Sequence, residues 1–218
     1  MIVKKFVLDE MNLTYYVGIT QIKKKSTTEP IEKTFQVIKE LQNDFNTSII
    51  QFFLDRNVLN HDHIFHACYF VQKATTLNRN ISSNQQIEIL LYLAANREIS
   101  KSIKRYGISK ESLEAGNVIC CIMNNDGDFS EILETISRKL NAVEIPITLE
   151  SVSAEKFKRI KDLFDVADHQ IEIILKSYNV KENIERLLEN DVNILVDALG
   201  DLLCEKMSLL SLEKVKSD

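Results

Sequence analysis

The residues with the plainest chemistry are four cations, Arg97, Lys101, Lys104 and Arg105. On a helix turning about 100° per residue, the three later cations fall within about 80° of Arg97, and Ile99, Ile103 and Tyr106 take the opposite side. Residues 97–110 hold five Lys or Arg against one acid, in a chain of 218 residues with a formal net charge of −5. A small basic island in an acidic protein suits a confined anionic ligand such as a strand end. The overall acidity argues against a coat for long duplexes. Asn96 and Tyr92 lie beside the island and have groups that hydrogen-bond or stack on a base. A solvated outer helix face accounts for the cations equally well, and core packing for Tyr92.

Other reactive residue types do not assemble into a site. On a helix His63 and His66 share a face and His61 points elsewhere, and no Cys, Asp or Glu cluster completes a four-ligand metal set. Capping the start of the helix and facing solvent are their expected roles. Asn124-Asn125-Asp126-Gly127-Asp128 resembles a calcium loop, but the bidentate Glu at position twelve is missing, and a strand–turn–helix junction explains the run. Phosphate-binding glycine loops, the nucleophile elbow and the paired-histidine zinc motif are all absent from the sequence. No catalytic residue, metal or cofactor is assigned, and the chain reads as a non-enzyme. Cys68, Cys120, Cys121 and Cys204 form no C-x-x-C pair, and Cys120-Cys121 sits in an apolar run, as buried thiols do. A reducing, cytoplasmic compartment is expected. No apolar run reaches the roughly 18 residues of a membrane span, and Met1-Ile2-Val3-Lys4-Lys5 lacks the signal-peptide pattern.

The elements that must position these residues come next. Only five Gly and two Pro disfavour an all-β sandwich, and 44% apolar residues suffice for a real core. Residues 2–8 and 13–22 read as strands joined at Asp9–Asn12. Residues 29–45 read as a helix capped by Thr27 or Thr28, with Pro30 in its first turn and Ile31, Phe35, Ile38 and Leu41 inward. Ser48–Leu54 is a strand, and 61–77 a helix with Ile64, Ala67, Cys68 and Val71 on its core face. Residues 85–108 read as a deeply buried helix followed by the short basic one, which Gly107 ends. Residues 117–123 form a strand, and 129–140 a helix capped by Asp128 or Ser130, with Ile132, Leu133, Ile136 and Leu140 inward. A last short strand falls within 143–149. Beyond about 152 only helical pattern appears: Phe157, Ile160, Leu163 and Phe164; then Ile171, Ile174, Leu175 and Tyr178; then Leu187-Leu188 through Leu212, with a frayed end at 213–218. The reading is a mixed α/β core over 1–150 with a helical C-terminal section over 151–218.

A set of residues in the middle of the chain carries a family resemblance. They are His63-Ile64-x-x-Ala67, Ala74, Ile81-Ser82, Glu88-Ile89-Leu90-Leu91-Tyr92-Leu93, and Asn96-Arg97-Glu98-Ile99-Ser100-Lys101-Ser102-Ile103-Lys104-Arg105-Tyr106-Gly107-Ile108. The set resembles the accessory tRNA-binding subunit of the KEOPS complex, the family of the human PRPK-binding protein and its archaeal relatives. Its pattern there is H-[IL]-x-x-A, an I-S spacer, E-[IL]-L-x-[YL] and R-x-I-x-x-[AS]-I-x-x-[FY]-G-I. Leu202-Leu203-Cys204-Glu205-Lys206-Met207-Ser208-Leu209-Leu210 is similar to the closing helix of archaeal members, and residues 179–200 look like additional length.

The resemblance implies an α+β fold, a small antiparallel sheet surrounded by helices. It implies a non-catalytic subunit of the complex that makes threonylcarbamoyl-adenosine in tRNA. Such a subunit binds and stimulates the kinase-like ATPase subunit, grips the single-stranded CCA end of tRNA, and meets the threonylcarbamoyl-transferase subunit indirectly, with no membrane involved. Arg97 matches the motif Arg; Lys101, Lys104 and Arg105 are additions on its face, with Asn96 and Lys73 as further RNA contacts. Leu203, Met207 and Leu210, at i, i+4 and i+7, form an apolar stripe suited to the kinase, or to the protein's own core. A protein-only adaptor that docks a kinase-like partner without touching RNA is the alternative.

Overall fold

The computed structural model describes residues 1–25, 29–149 and 151–210. Strands β1 (Ile2–Leu8), β2 (Leu13–Lys24), β3 (Ile49–Leu54), β4 (Val118–Asn124) and β5 (Ala142–Ile145) form one antiparallel sheet. The order is β1-β2-β4-β3, and β5 pairs with the far end of β2. A 3-10 turn at Asp9–Met11 joins the first hairpin.

Strand side chains alternate between two faces, and both faces are covered. Val17, Ile19, Phe53, Ile119, Cys121 and Met123 enter one apolar cluster, and Ile22, Ile50, Phe52, Val118, Cys120 and Ile122 the other. The first cluster is closed by α2 (His61–Thr76), α3 (Gln85–Leu93) and the C-terminal helices α7 (Ala154–Leu163), α8 (Asp168–Ser177), α9 (Ile184–Asn190) and α10 (Val192–Leu210). The second is closed by α1 (Ile31–Asp44), α5 (Lys110–Ala115) and α6 (Ser130–Leu140). The fold is α+β, with the helical C-terminal part sharing the first cluster with α2 and α3.

Several inward stripes are rotated from expectation. In α1, Thr34 and Leu41 are buried and Phe35 is exposed, because Thr34 Oγ1 accepts a hydrogen bond from buried Lys24 Nζ at 2.8 Å. That bond fixes which side of α1 faces the sheet. Pro30 is the N-cap rather than a first-turn residue; the expected caps Thr27 and Thr28 lie outside the described residues. In α8, Ile171 and Leu175 are buried, and Tyr178 ends up exposed, bonded to Asp201 Oδ2 at 2.5 Å. Asp128 accepts the Ser130 N–H just ahead of α6, whose N-cap is Phe129.

The largest correction concerns α10. Leu203, Met207 and Leu210 are 1%, 0% and 6% exposed. This helix packs against α2, α3, α7, α8 and α9 at once, so its most apolar stripe closes the protein's own core and offers no surface to a partner.

No helix among the described residues is long and apolar enough to cross a membrane.

Candidate functional site

The basic stretch folds as a loop and a helix. Helix α3 ends at Leu93, and the next helix, α4 (Ile99–Tyr106), begins only after Ala94–Glu98. Ala95 turns this loop with a left-handed backbone, φ +43°, a conformation that costs a non-glycine residue of order 1–3 kcal/mol and must be held by its surroundings. Asn96 Oδ1 accepts the Glu98 N–H at 2.8 Å and so starts α4. The donor that the Asn96 side chain can still offer is its NH2 group.

Arg97 therefore precedes α4 and does not share its face with the other cations. Its Nη1 donates to the Leu210 carbonyl at 2.6 Å, tying the loop to the end of α10. Arg105 turns inward: Nη1 donates to the Ala94 carbonyl at 3.1 Å, and the guanidinium carbon lies 5.8 Å from the Phe164 ring centroid. Lys101 is exposed and paired with Glu98 at 2.6 Å, and Lys104 is exposed. The apolar side is rotated as well. Tyr106 and Ser102 are buried, whereas Ile99 and Ile103, expected inward, are exposed. The physical reason is the anchoring of Tyr106, whose hydroxyl lies between the Asn57 and Leu93 carbonyls at 2.9 and 3.0 Å. Ser102 Oγ adds a bond to the Glu98 carbonyl at 3.1 Å.

The motif residues explain how this loop is held. Buried His63 donates from Nε2 to the Leu93 carbonyl at 3.0 Å and accepts the Leu59 N–H on Nδ1 at 3.2 Å, which requires the neutral ring protonated on Nε2. Burial, the largest effect, lowers its pKa to about 4, helped by the charges of His66 and Lys156 and opposed by the Leu93 hydrogen bond. The His63 ring also meets Phe164 edge-on at 5.5 Å. Fully buried Glu88 accepts the N–H groups of Ile81 and Ser82 at 2.8 and 2.7 Å, fastening the segment before α3. His63, Glu88, Arg97 and Tyr106 thus act mainly on backbone groups, fixing where α3, the loop and α4 sit.

Around the loop lies a cavity of about 430 Å³, lined by Ala94–Asn96, Arg105, Leu163–Asp165, Lys206 and Leu209-Leu210. That volume falls in the roughly 300–1,000 Å³ range of small-ligand sites. It brings together Asn96 and Arg105, two of the expected RNA contacts, and adds Lys206, Phe164 and Asp165, which sequence reasoning missed. Lys206 lies in the closing run that resembles the family, a signal that by itself says nothing of RNA, and Phe164 reads as core. Lys101 and Lys104 are not among the lining residues. Lys73 lies 5.9 Å over the Tyr69 ring and lines another cavity beside Asp9–Met11, so it does not join this site.

The histidine trio is split. Asn60, not a histidine, caps α2, accepting the His63 N–H at 2.9 Å. His63 and His66 share a face as expected and line one cleft with Asp62, Asp197 and Asp201, and His61 is not among its lining residues. Among the described residues no group of three or more His, Cys, Asp or Glu is placed to hold a metal ion. Cys68 and Cys121 lie buried with their sulfurs 3.5 Å apart; their mutual contact and burial push the Cys68 thiol well above its usual pKa, which keeps it unreactive.

Compared with known families, residues 19–207 match the one described as kinase binding protein CGI-121. No curated protein matches the chain.

Proposed function

Because the chain belongs to the CGI-121 family of kinase-binding proteins, we propose that it is a non-catalytic subunit of the KEOPS tRNA-modifying complex. In this reading it binds and stimulates the kinase-like ATPase subunit in the cytoplasm and helps recruit tRNA by its single-stranded CCA end. It would meet the threonylcarbamoyl-transferase subunit only through that partner. The kinase half rests on the family match across residues 19–207.

The RNA half is supported by one observation: a cavity that gathers Arg105, Lys206 and Asn96. Arg105 and Lys206 supply positive charge for backbone phosphates, and the Asn96 NH2 a donor for a base or ribose oxygen. The Arg105 guanidinium, 5.8 Å from the Phe164 ring centroid, has N–H donors beyond the one given to Ala94, suited to a phosphate or a base edge.

The test is a binding titration with full-length tRNA and with tRNA lacking its CCA end, for the native protein and for Arg105→Ala and Lys206→Glu. Trimming the tRNA should weaken binding to the native protein. Removing a cation that neutralises one phosphate should flatten the salt dependence by about 0.7 in slope on a single strand. Equal binding of both tRNAs by all three proteins would refute the RNA half.

A protein-only adaptor is the second reading, favoured by the engagement of Arg97 with Leu210 and of Lys101 with Glu98. Those two cations have partners within the chain. Kinase binding without measurable tRNA binding would select it.

A further inference from the structure

The stripe on α10 expected to meet the kinase is buried, and the structure carries a different apolar surface. Phe35 on α1 and Ile99 and Ile103 on α4 are 48%, 46% and 44% exposed. Phe35 and Ile103 border a cavity of about 190 Å³ floored by Ile38, Phe52, Leu90 and Ile108, at the open edge of β3. An apolar cavity of roughly 150 Å³ admits a benzene-sized group, so this one takes a single large side chain. Gly107 shapes its end: a Cβ there would lie 2.5 Å from the Ile103 carbonyl oxygen, so only glycine lets the chain leave α4 at this angle.

We propose that this groove is where the kinase partner docks, through an amphipathic helix with one large apolar residue in the cavity and carboxylates beside it. The inference rests on the kinase-binding reading and assigns it a place. Two observations define the occupant. First, the middle of the edge is poorly open to an added strand. Two of the β3 N–H groups that turn away from β4 are already taken, Ile50 by Gln42 Oε1 at 3.0 Å and Phe52 by Gln51 Oε1 at 3.1 Å. A strand needs free edge donors, whereas a helix needs only the apolar groove. Second, the rim carries more cations than acids. Exposed Lys104 follows Ile103, and exposed Lys39 stands one turn beyond Phe35, with exposed Glu32 one turn before it. A partner helix flanked by Asp or Glu complements that rim.

The experiment uses the full chain and the purified kinase-like subunit of the same organism, with affinity measured by calorimetry. Ile103→Glu and Phe35→Glu change exposed side chains, so both variants should melt within a few degrees of the native protein. Each should weaken kinase binding about tenfold or more. Lys104→Glu should weaken it about threefold in low salt, the effect shrinking as salt is raised. Val3→Glu and Val7→Glu, on the exposed face of the other edge strand, should bind as the native protein does. Native affinity in both groove variants overturns the proposal and leaves kinase binding itself intact, as does weakening confined to the β1 variants. A native protein that fails to bind the kinase overturns the reading together with the groove.

Discussion

The neutral His63 ring makes the stability of the site loop depend on pH in a way that can be calculated. In the unfolded chain a histidine titrates near 6.5, and in the fold His63 titrates near 4. The folded pKa lies below the unfolded one, so between these values the unfolded chain binds a proton that the folded protein refuses. The stabilisation is complete above pH 6.5 and is lost as pH falls toward 4. At about 1.4 kcal/mol for each pH unit, about 3 kcal/mol disappears across that window, a large share of a typical stability of roughly 5–15 kcal/mol. The structural event is specific: a proton on Nδ1 removes the acceptor for the Leu59 N–H and places a charge against Phe164. Burial also lowers the pKa of His66, and carboxylates titrate nearby, so the native protein alone does not isolate the effect. His63→Gln keeps a donor for the Leu93 carbonyl and cannot titrate. Urea midpoints for both proteins at intervals from pH 7 to pH 4 give the difference. The native protein should lose about 3 kcal/mol more than the variant over that range. Parallel pH profiles would refute the assignment of a neutral, buried His63.

Two further substitutions test the scaffold. Glu88→Gln keeps the shape but replaces one acceptor oxygen with a donor, leaving the Ile81 or Ser82 N–H unpaired; the expected destabilisation is about 1–3 kcal/mol in chemical denaturation. Gly107→Ala sets a methyl 2.5 Å from the Ile103 carbonyl, and the forced shift should cost about 1–3 kcal/mol by thermal melting.

Much of the fold was legible because strand and helix periods are strong where both partners are apolar. β1 and β2, β3, β4, α2 and α6 lie close to where alternation and 3.6-residue spacing place them. The rotations of α1 and α4 share one cause: a polar anchor outweighs the local apolar count. Thr34, bonded to Lys24, turns α1 so that Phe35 faces out, and Tyr106, held by two carbonyls, turns α4 so that Ile99 and Ile103 do. No helical wheel contains those partners. The wheel drawn from Arg97 failed for another reason. The break at Ala94–Glu98 carries neither glycine nor proline, and its turn is made by Ala95 in a left-handed conformation. Of the cavity, Asn96 and Arg105 could be read from their position beside the basic run. Phe164 and Lys206 arrive from distant helices by tertiary packing alone.

The two candidate surfaces are mechanically one problem, because α4 is a wall of both. Ile103 and Arg105 are two residues apart, about 200° around the helix, so one faces the apolar groove and the other the cationic cavity. A partner pressing on Ile103 cannot move α4 without straining the bonds at its end. Asn57 Nδ2 donates to the Arg105 carbonyl at 2.7 Å, and the Tyr106 hydroxyl reaches back to the Asn57 carbonyl. The same Leu93 carbonyl that meets Tyr106 meets His63, one residue before the Ala94 carbonyl that orients the Arg105 guanidinium. A helix seated in the groove would therefore stabilise the anchored position of α4 and, with it, the placement of Arg105. Coupling of this kind requires that each partner bind the anchored α4 more tightly than a displaced one. On the proposed kinase and RNA sites, each partner should then strengthen the other's binding by one common factor, and Ile103→Glu should abolish that factor while leaving RNA affinity in the absence of kinase unchanged.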